Sequence, residues 1–407
     1  VLAVVDLRSF LKGSARHVRF VLEGIAEFEE ALLEQGIGVC VRVEPAKEVG
    51  GLSVIGDASQ NITGFASKSW AVVTDRPHLA ENIETVSRVA SEAGCSVIDV
   101  ETHVLIPVED MFTECVRDRN LFEERFLSLC PDYAKLLPVQ DVNVTASEEL
   151  MDEVDKFGLI FDFMQESEDE ETWGAPDWLN NVGVLYKVLE QSNIRTDIPK
   201  VPYAGSKGGE GAARKLLSTF IARKLKGYAR AWEVNQENNR SEYGSLLAPY
   251  FCYGFISSSE VASKIVNSGR ALQDNTAFLR SLARREMAFN LVNTVPEYSN
   301  FNAVVKEDAR ERLIKAGLSR KKLDIPEGSY ERGQTPNNHW NNLHQEMVKL
   351  GRDLSMDRAL WIQLLFEMEP DPMVAFDRAV RLSSLFMLDS LDPVVYHCVA
   401  EYATIIS

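Results

Sequence analysis

"RREMAFN", residues 284–290, sets two arginines and a glutamate side by side and closes on an asparagine. It lies in a stretch, 274–294, that reads as a helix, and taken alone it is an ion-paired helix face. The neighbouring sequence has the same character. Further helices are expected at 257–268, 303–317, 339–351, 355–368 and 372–386. Upstream, "EGAARKLLSTFIARKLKGYARAW" (210–232) places Leu217, Ile221, Leu225 and Tyr228 on one stripe. From about residue 210 onward the chain reads as nearly all helical.

The first part of the chain follows a different rule. "VLAVVDL" (1–7), "IGVCVRVE" (37–44), "WAVVTD" (70–75) and "CSVIDVE" (95–101) are apolar runs of strand length. Between them, 14–35 carries Val18, Val21, Leu22, Ile25, Phe28 and Leu32 at helical spacing, and 79–93 reads as another helix. Strands separated by helices imply a parallel sheet covered on both faces. The expected organisation is a Rossmann-like parallel α/β domain over 1–130, an interdomain linker over 131–208 and an all-helical domain over 209–407.

Composition narrows the function classes. The chain has 407 residues, 45% of them hydrophobic, and a net charge of −18. Residues 1–200 hold 17 Lys and Arg against 37 Asp and Glu, so that half repels polyanions. No apolar run reaches the roughly 18 residues of a membrane helix. Six cysteines without a C-x-x-C spacing read as free thiols in a reducing compartment, and no H-E-x-x-H metal motif occurs. "GSKGGEG" (205–211) lacks the G-K-[ST] ending of a phosphate loop and reads as a flexible entry to the next helix. The acidic run Glu166 to Glu171, followed by Trp173 and Trp178, is read either as a solvated loop or as a protein interface.

Several stretches in fixed order carry a resemblance. They are "KGGEGAARKLLSTFIARKLKGYA" (207–229), "SLLAPYFCYGFIS" (245–257), "RREMAFN", "HWNNLHQEMVKLGR" (339–352) and "LDSLDPVVY" (388–396). In the N-terminal part, "FLKGSARHVRFVLEGI" (10–25) and "VIDVETHVLIP" (97–107) look like landmarks of the same family. The chain resembles the class II cyclobutane-pyrimidine-dimer photolyases of the photolyase/cryptochrome superfamily. That resemblance implies the FAD-domain fold for the helical part. It also implies electron transfer from photoexcited, reduced flavin to a pyrimidine dimer flipped out of DNA.

Carried over residue by residue, the resemblance places Tyr228, Ser245, Leu247, Arg285, Asn290, Arg358, Asp389 and Asp392 around an FAD. Trp340, Asn341 and Trp361 match positions tied to the chemistry. Other positions depart from the pattern. Trp232-Glu233-Val234-Asn235 replaces R-N-D-P, Ala248 replaces a serine, and Asn342-Leu343-His344 ends a broken W-N-A-A-Q. Arg280-Ser281 stands where an acidic residue helps hold the dimer, and 351–355 departs from G-K-M-H-G. Met368 takes the place of an electron-chain tryptophan, and a thioether is not an easily oxidised indole. In the last stretch Val394 replaces the asparagine facing the flavin, while Ser390, Val395 and Cys398 replace glycines. Asp389 and Asp392 then read as capping or holding a turn. The resulting expectation is a photolyase fold without photolyase chemistry. It has no bound cofactor and acts as an interaction subunit for protein partners. The alternative is an FAD-dependent deoxyribodipyrimidine photo-lyase acting on DNA, or a cryptochrome-like flavin photoreceptor.

Overall fold

A computed structural model describes Leu2–Asp6 and residues 13–42, 47–49, 52–54, 58–136, 198, 207–233, 244–320, 323–351 and 356–407. The acidic segment Glu166 to Glu171, Trp173, Trp178, Val234, Asn235, 352–355 and most of the 131–208 linker lie outside the described residues. The described chain forms two compact units. One comprises residues up to Val100 together with 207–214, and the other Glu101–Leu136 with Lys215–Ser407.

In the first unit β1 (Leu2–Asp6) and β2 (Gly38–Arg42) pair in parallel, Leu2 opposite Gly38, with α1 (Ala15–Glu34) between them in sequence. Val18, Val21, Leu22 and Ile25 of the expected stripe are buried, whereas Phe28 faces solvent. Ser14 and His17 close a capping box at the start of α1. A short antiparallel pair, β3 (Lys47–Val49) and β4 (Leu52–Val54), precedes α2 (Ala58–Ala66). Then β5 (Ala71–Asp75) and β6 (Ser96–Val100) pair in parallel around α3 (Ala80–Glu92). The parallel strand–helix–strand units are as expected, but among the described residues the strands pair two by two rather than in one sheet. Val72 and Val97 pack on Ala66, Val89 and Ala93, so β5 and β6 bury one face only.

The second unit is helical. It opens with α4 (Val108–Met111) and α5 (Arg119–Tyr133), and α6 (Glu210–Arg223) crosses into it from the first unit. The stripe from Leu217 to Tyr228 sits on two helices, because Gly227 at φ +84° separates α6 from α7 (Tyr228–Glu233). There follow α8 (Ala248–Cys252), α9 (Ser258–Val266), α10 (Leu272–Thr294), α11 (Phe301–Val304) and α12 (Glu307–Leu318). The last are α13 (Glu327–Glu331), α14 (Asn338–Leu350), α15 (Met356–Met368), α16 (Pro372–Phe386) and α17 (Val394–Ile406). Helix α10 buries Phe278, Leu282, Met287, Phe289 and Leu291 among others, packing against α5, α7, α9 and α17, while Gln273, Thr276, Arg280 and Arg284 form a partly exposed stripe along it.

Among the described residues no helix is long and apolar enough to cross a membrane, and no cluster of three metal-ligating side chains occurs. Cys95, Cys115, Cys130, Cys252 and Cys398 are free thiols. Burial pushes the Cys130 thiol up to about 11, so it is inert at neutral pH.

Candidate functional site

Helix α10 presents Arg285, Glu286 and Asn290 to the segment between Glu101 and Asp118, irregular apart from the short α4, and Arg280 and Arg284 to α5. The Glu286 carboxylate accepts hydrogen bonds from the N–H of Leu105 at 2.6 Å and of Ile106 at 3.3 Å. One turn on, Asn290 accepts from the Val116 N–H at 3.0 Å and donates to the carbonyls of Phe112 and Glu114. Arg285 donates to the His103 carbonyl at 2.6 Å and lies over the rings of Phe251 and Phe289. Arg284 and Arg280 both meet the buried Glu123 carboxylate, at 2.7 and 2.9 Å. Buried backbone groups outside helices and sheets need partners, and these side chains supply them. Burial pushes the Glu286 carboxyl up to about 8, against the pull of its two N–H donors and Arg285.

The two aspartates near the C-terminus are held by separate arginines. Asp392 pairs with Arg285 at 3.3 Å and accepts the Val394 N–H at 2.9 Å, which starts α17. Asp389 pairs with Arg358 at 2.9 Å and takes the Ser390 hydroxyl at 3.3 Å. Burial raises the Asp392 carboxyl, with Arg285 and the Val394 N–H opposing it. Val395, one residue into α17, is buried.

Tyr228 is buried edge-on to Phe220 and Phe278, with ring centroids 5.6 and 5.8 Å away. The backbone N–H groups of Gly227 and Ala229 beside it donate to Asp274, at 2.9 and 3.0 Å. Ser245 accepts the Leu247 N–H at 3.4 Å in a turn where Leu246 has φ +63°. Trp340 and Trp361 stack at 5.7 Å, and the Trp340 indole donates to the Trp361 carbonyl at 3.1 Å. His344 stacks on Trp340 at 4.7 Å, with burial holding its imidazole down at about 4. Asn341 is occupied by Thr335 on both of its polar atoms.

No family model matches the chain. A deoxyribodipyrimidine photo-lyase of Methanothermobacter thermautotrophicus is 24% identical over 390 residues, covering 94% of this chain and 74% of that protein. A bacterial class III photolyase from Agrobacterium tumefaciens superposes with a TM-score of 0.66 at 16% identity, over 99% of this chain and 73% of that one. A Synechocystis sp. PCC6803 cryptochrome does so with a TM-score of 0.64 at 13% identity, over all of this chain and 76% of that one.

The chain has the photolyase/cryptochrome fold. The sequence relative supports the superfamily. Within this photolyase fold, the residues singled out from sequence fall into small groups. Arg285 meets Asp392, Arg358 meets Asp389, and Trp340 meets Trp361. Tyr228 sits apart from these groups in an aromatic packing of its own. An open cleft of about 860 Å³ lies beside α10, lined by Ala229, Leu272, Gln273, Thr276, Arg280 and Arg284. None of the expected flavin contacts lines it. Sequence reading missed Asp274 and Glu123. The one available signal was Asp274 in the first turn of α10, where carboxylates favour the helix dipole, but its bond partners, Gly227 and Ala229, lie at the start of α7.

Proposed function

We propose that this chain keeps the photolyase/cryptochrome fold as a structural and interaction subunit, without enzymatic activity and without light-driven DNA repair. The observation that carries this reading is the turn before α17. Where the resemblance calls for an asparagine and a glycine, Val394 and Val395 begin a helix, and the Val395 side chain is enclosed by protein. A β-branched side chain there takes the volume that a glycine leaves open to a ring.

The described residues do not fit FAD well. Asp392 is spent on Arg285 and on the Val394 N–H, and Asn290 is spent on the backbone of 112–116. The Asp274 carboxylate occupies the two N–H groups beside Tyr228, so a phosphate there meets a fixed negative charge. Each buried hydrogen-bond partner withdrawn from a ligand costs about 1–3 kcal/mol. The partners in this reading are proteins.

A second reading, an FAD-dependent class II deoxyribodipyrimidine photo-lyase acting on cyclobutane pyrimidine dimers, is favoured by two observations. One is the photo-lyase relative, similar over nearly the whole chain. The other is the buried Trp361 Nε1–H, which has no hydrogen-bond partner among the described residues. The likeness to a cryptochrome adds a flavin photoreceptor to that side. An absorption spectrum of the purified protein, with a blue-light repair assay on dimer-containing DNA, separates the readings. The expected result is no stoichiometric flavin and no repair. One flavin per chain with repair establishes the photo-lyase, and flavin without repair the photoreceptor.

A further inference from the structure

One stripe of α10 is left uncovered by its neighbours. Gln273, Thr276, Arg280 and Arg284 succeed one another at helical spacing, and this stripe lines the open cleft of about 860 Å³ beside the helix. Part of the wall is apolar. Leu272 in it is 81% exposed, and Ala229, Ala271 and Ala277 add small side chains. A cleft of this volume, with an apolar wall and a few convergent polar groups, has the form of a ligand site.

The polar groups of the cleft are held unequally. Arg280 divides its guanidinium between two carboxylates of α5, Glu123 at 2.9 Å and Glu124. Glu123 has 3% of its side chain exposed and also takes Arg284 at 2.7 Å, so two cations share one fixed, buried carboxylate. Glu124 has 68% of its side chain in water. An ion pair that open contributes little, and its carboxylate returns to solvent at almost no cost. A carboxylate entering the cleft can take the arm of Arg280 that Glu124 now holds, while Glu123 keeps the guanidinium in position. Thr276 and Gln273 add a hydroxyl and an amide on the same stripe, and an apolar ligand body gains by covering Leu272 and the alanines. A nucleic acid fits less well. None of the residues lining the cleft is aromatic, so bases find no stacking platform, and one exchangeable cation is not the row that a phosphate backbone needs. The net charge of −18 also opposes a long polyanion.

We propose that the cleft beside α10 binds a carboxylate ligand with an apolar body, whose carboxylate takes the place of Glu124 on Arg280. The source is an acidic segment of a partner protein or a free carboxylic acid. The site stands independently of the reading of the chain as an interaction subunit. A flavin-loaded, repair-active preparation that binds through Arg280 overturns that reading and leaves the site standing, and a flavin-free chain that binds neither source does the reverse.

The full chain is titrated calorimetrically with a peptide alternating glutamate with leucine, the same peptide with lysine for glutamate, octanoate, and a single-stranded oligonucleotide. The expected result is binding of the acidic peptide, of octanoate or of both, with the peptide identifying a protein source and octanoate alone a free acid. Glu124→Gln removes the competing carboxylate and should tighten that binding about two- to fivefold. Glu311→Gln removes the same charge at an exposed position on α12 and should leave it unchanged. Arg280→Met should weaken it by about tenfold or more. Leu272→Ser should weaken it too, by removing the apolar wall. If Arg280→Met fails to fold, Glu124→Gln and Leu272→Ser, both at exposed positions, carry the test. The proposal is overturned if neither carboxylate ligand binds, if Glu124→Gln has no more effect than Glu311→Gln, or if the lysine peptide binds as well as the glutamate one. An oligonucleotide that binds more tightly than both carboxylate ligands and is lost in Arg280→Met also overturns it, by making the ligand a nucleic acid.

Discussion

Arg358 and Asp389 form an ion pair of 2.9 Å within the helical unit, with the guanidinium buried and the carboxylate nearly so. The Ser390 hydroxyl also reaches the carboxylate, and Arg358 touches the Met387 sulfur. Removing one member of such a pair strands the other charge away from water. Arg358→Met or Asp389→Leu alone should each cost about 3–5 kcal/mol. The double variant should cost clearly less than the sum. Urea unfolding of the four proteins gives the coupling directly. A coupling energy near zero would show that water, and not the partner, solvates each charge.

Glu286 makes stability depend on pH in a defined direction. Its carboxyl stands at about 8 in the folded chain against 4.5 as the ordinary value, chiefly through burial, with Glu101 adding and Arg285 opposing. Between those values the folded state holds a proton that the unfolded state has released. Stability is therefore lost as pH rises from about 5 towards 8. The difference amounts to something on the order of 3 kcal/mol. Glu286→Gln, which cannot ionise, should show a flatter profile over that window in denaturant titrations. Parallel profiles for the two proteins would place the Glu286 titration elsewhere.

Local periodicity made most of the helices legible. The reading 14–35 became 15–34, 355–368 became 356–368, and 372–386 was found unchanged. What it left hidden was the choice of partners. "RREMAFN" is a helix in sequence and in structure, yet Glu286 bonds a backbone 181 residues away and Asn290 one 174 away. No spacing rule encodes such a separation. The stripe through Leu217 and Tyr228 was visible, while its interruption at Gly227 depended on Asp274, which draws the neighbouring N–H groups to itself from α10. The aspartates at 389 and 392 were legible as turn residues; their two separate arginines were not.

His344 works in the opposite sense to Glu286. Stacked on Trp340 at 4.7 Å, with Trp361 at 6.1 Å, it is held neutral, at about 4 against the ordinary 6.5, mainly by burial, while the Glu331 carbonyl at 3.0 Å pulls upward. Its contribution is fully present above 6.5 and is lost as pH falls towards 4, because only the unfolded chain takes up the proton in between. Relative to His344→Phe, which keeps an aromatic ring in the stack, the wild type should lose about 2 kcal/mol between pH 7 and pH 5. Urea midpoints at the two pH values measure this. An imidazole titrating near 6.5 by nuclear magnetic resonance would contradict it.

The glycine-rich entry to α6 yields the sharpest contrast between two similar substitutions. The Gly208 N–H donates to Glu23 at 2.9 Å and the Gly211 N–H to Glu27 at 2.7 Å, so the chain's own carboxylates take these donors. A Cβ at Gly208 would lie 1.8 Å from the Phe20 carbonyl oxygen, which is helix backbone in α1 and cannot swing aside. Gly208→Ala should therefore destabilise the first unit by about 3 kcal/mol or more. At Gly64, inside α2, an added Cβ meets nothing within 4 Å. Gly64→Ala should stabilise by about 0.5–1 kcal/mol, because alanine gives up less backbone freedom on entering a helix. Thermal unfolding of both variants checks the pair. A tolerated Gly208→Ala would mean that this entry is a flexible tether, and that its glycines are there for mobility and not for close approach to α1.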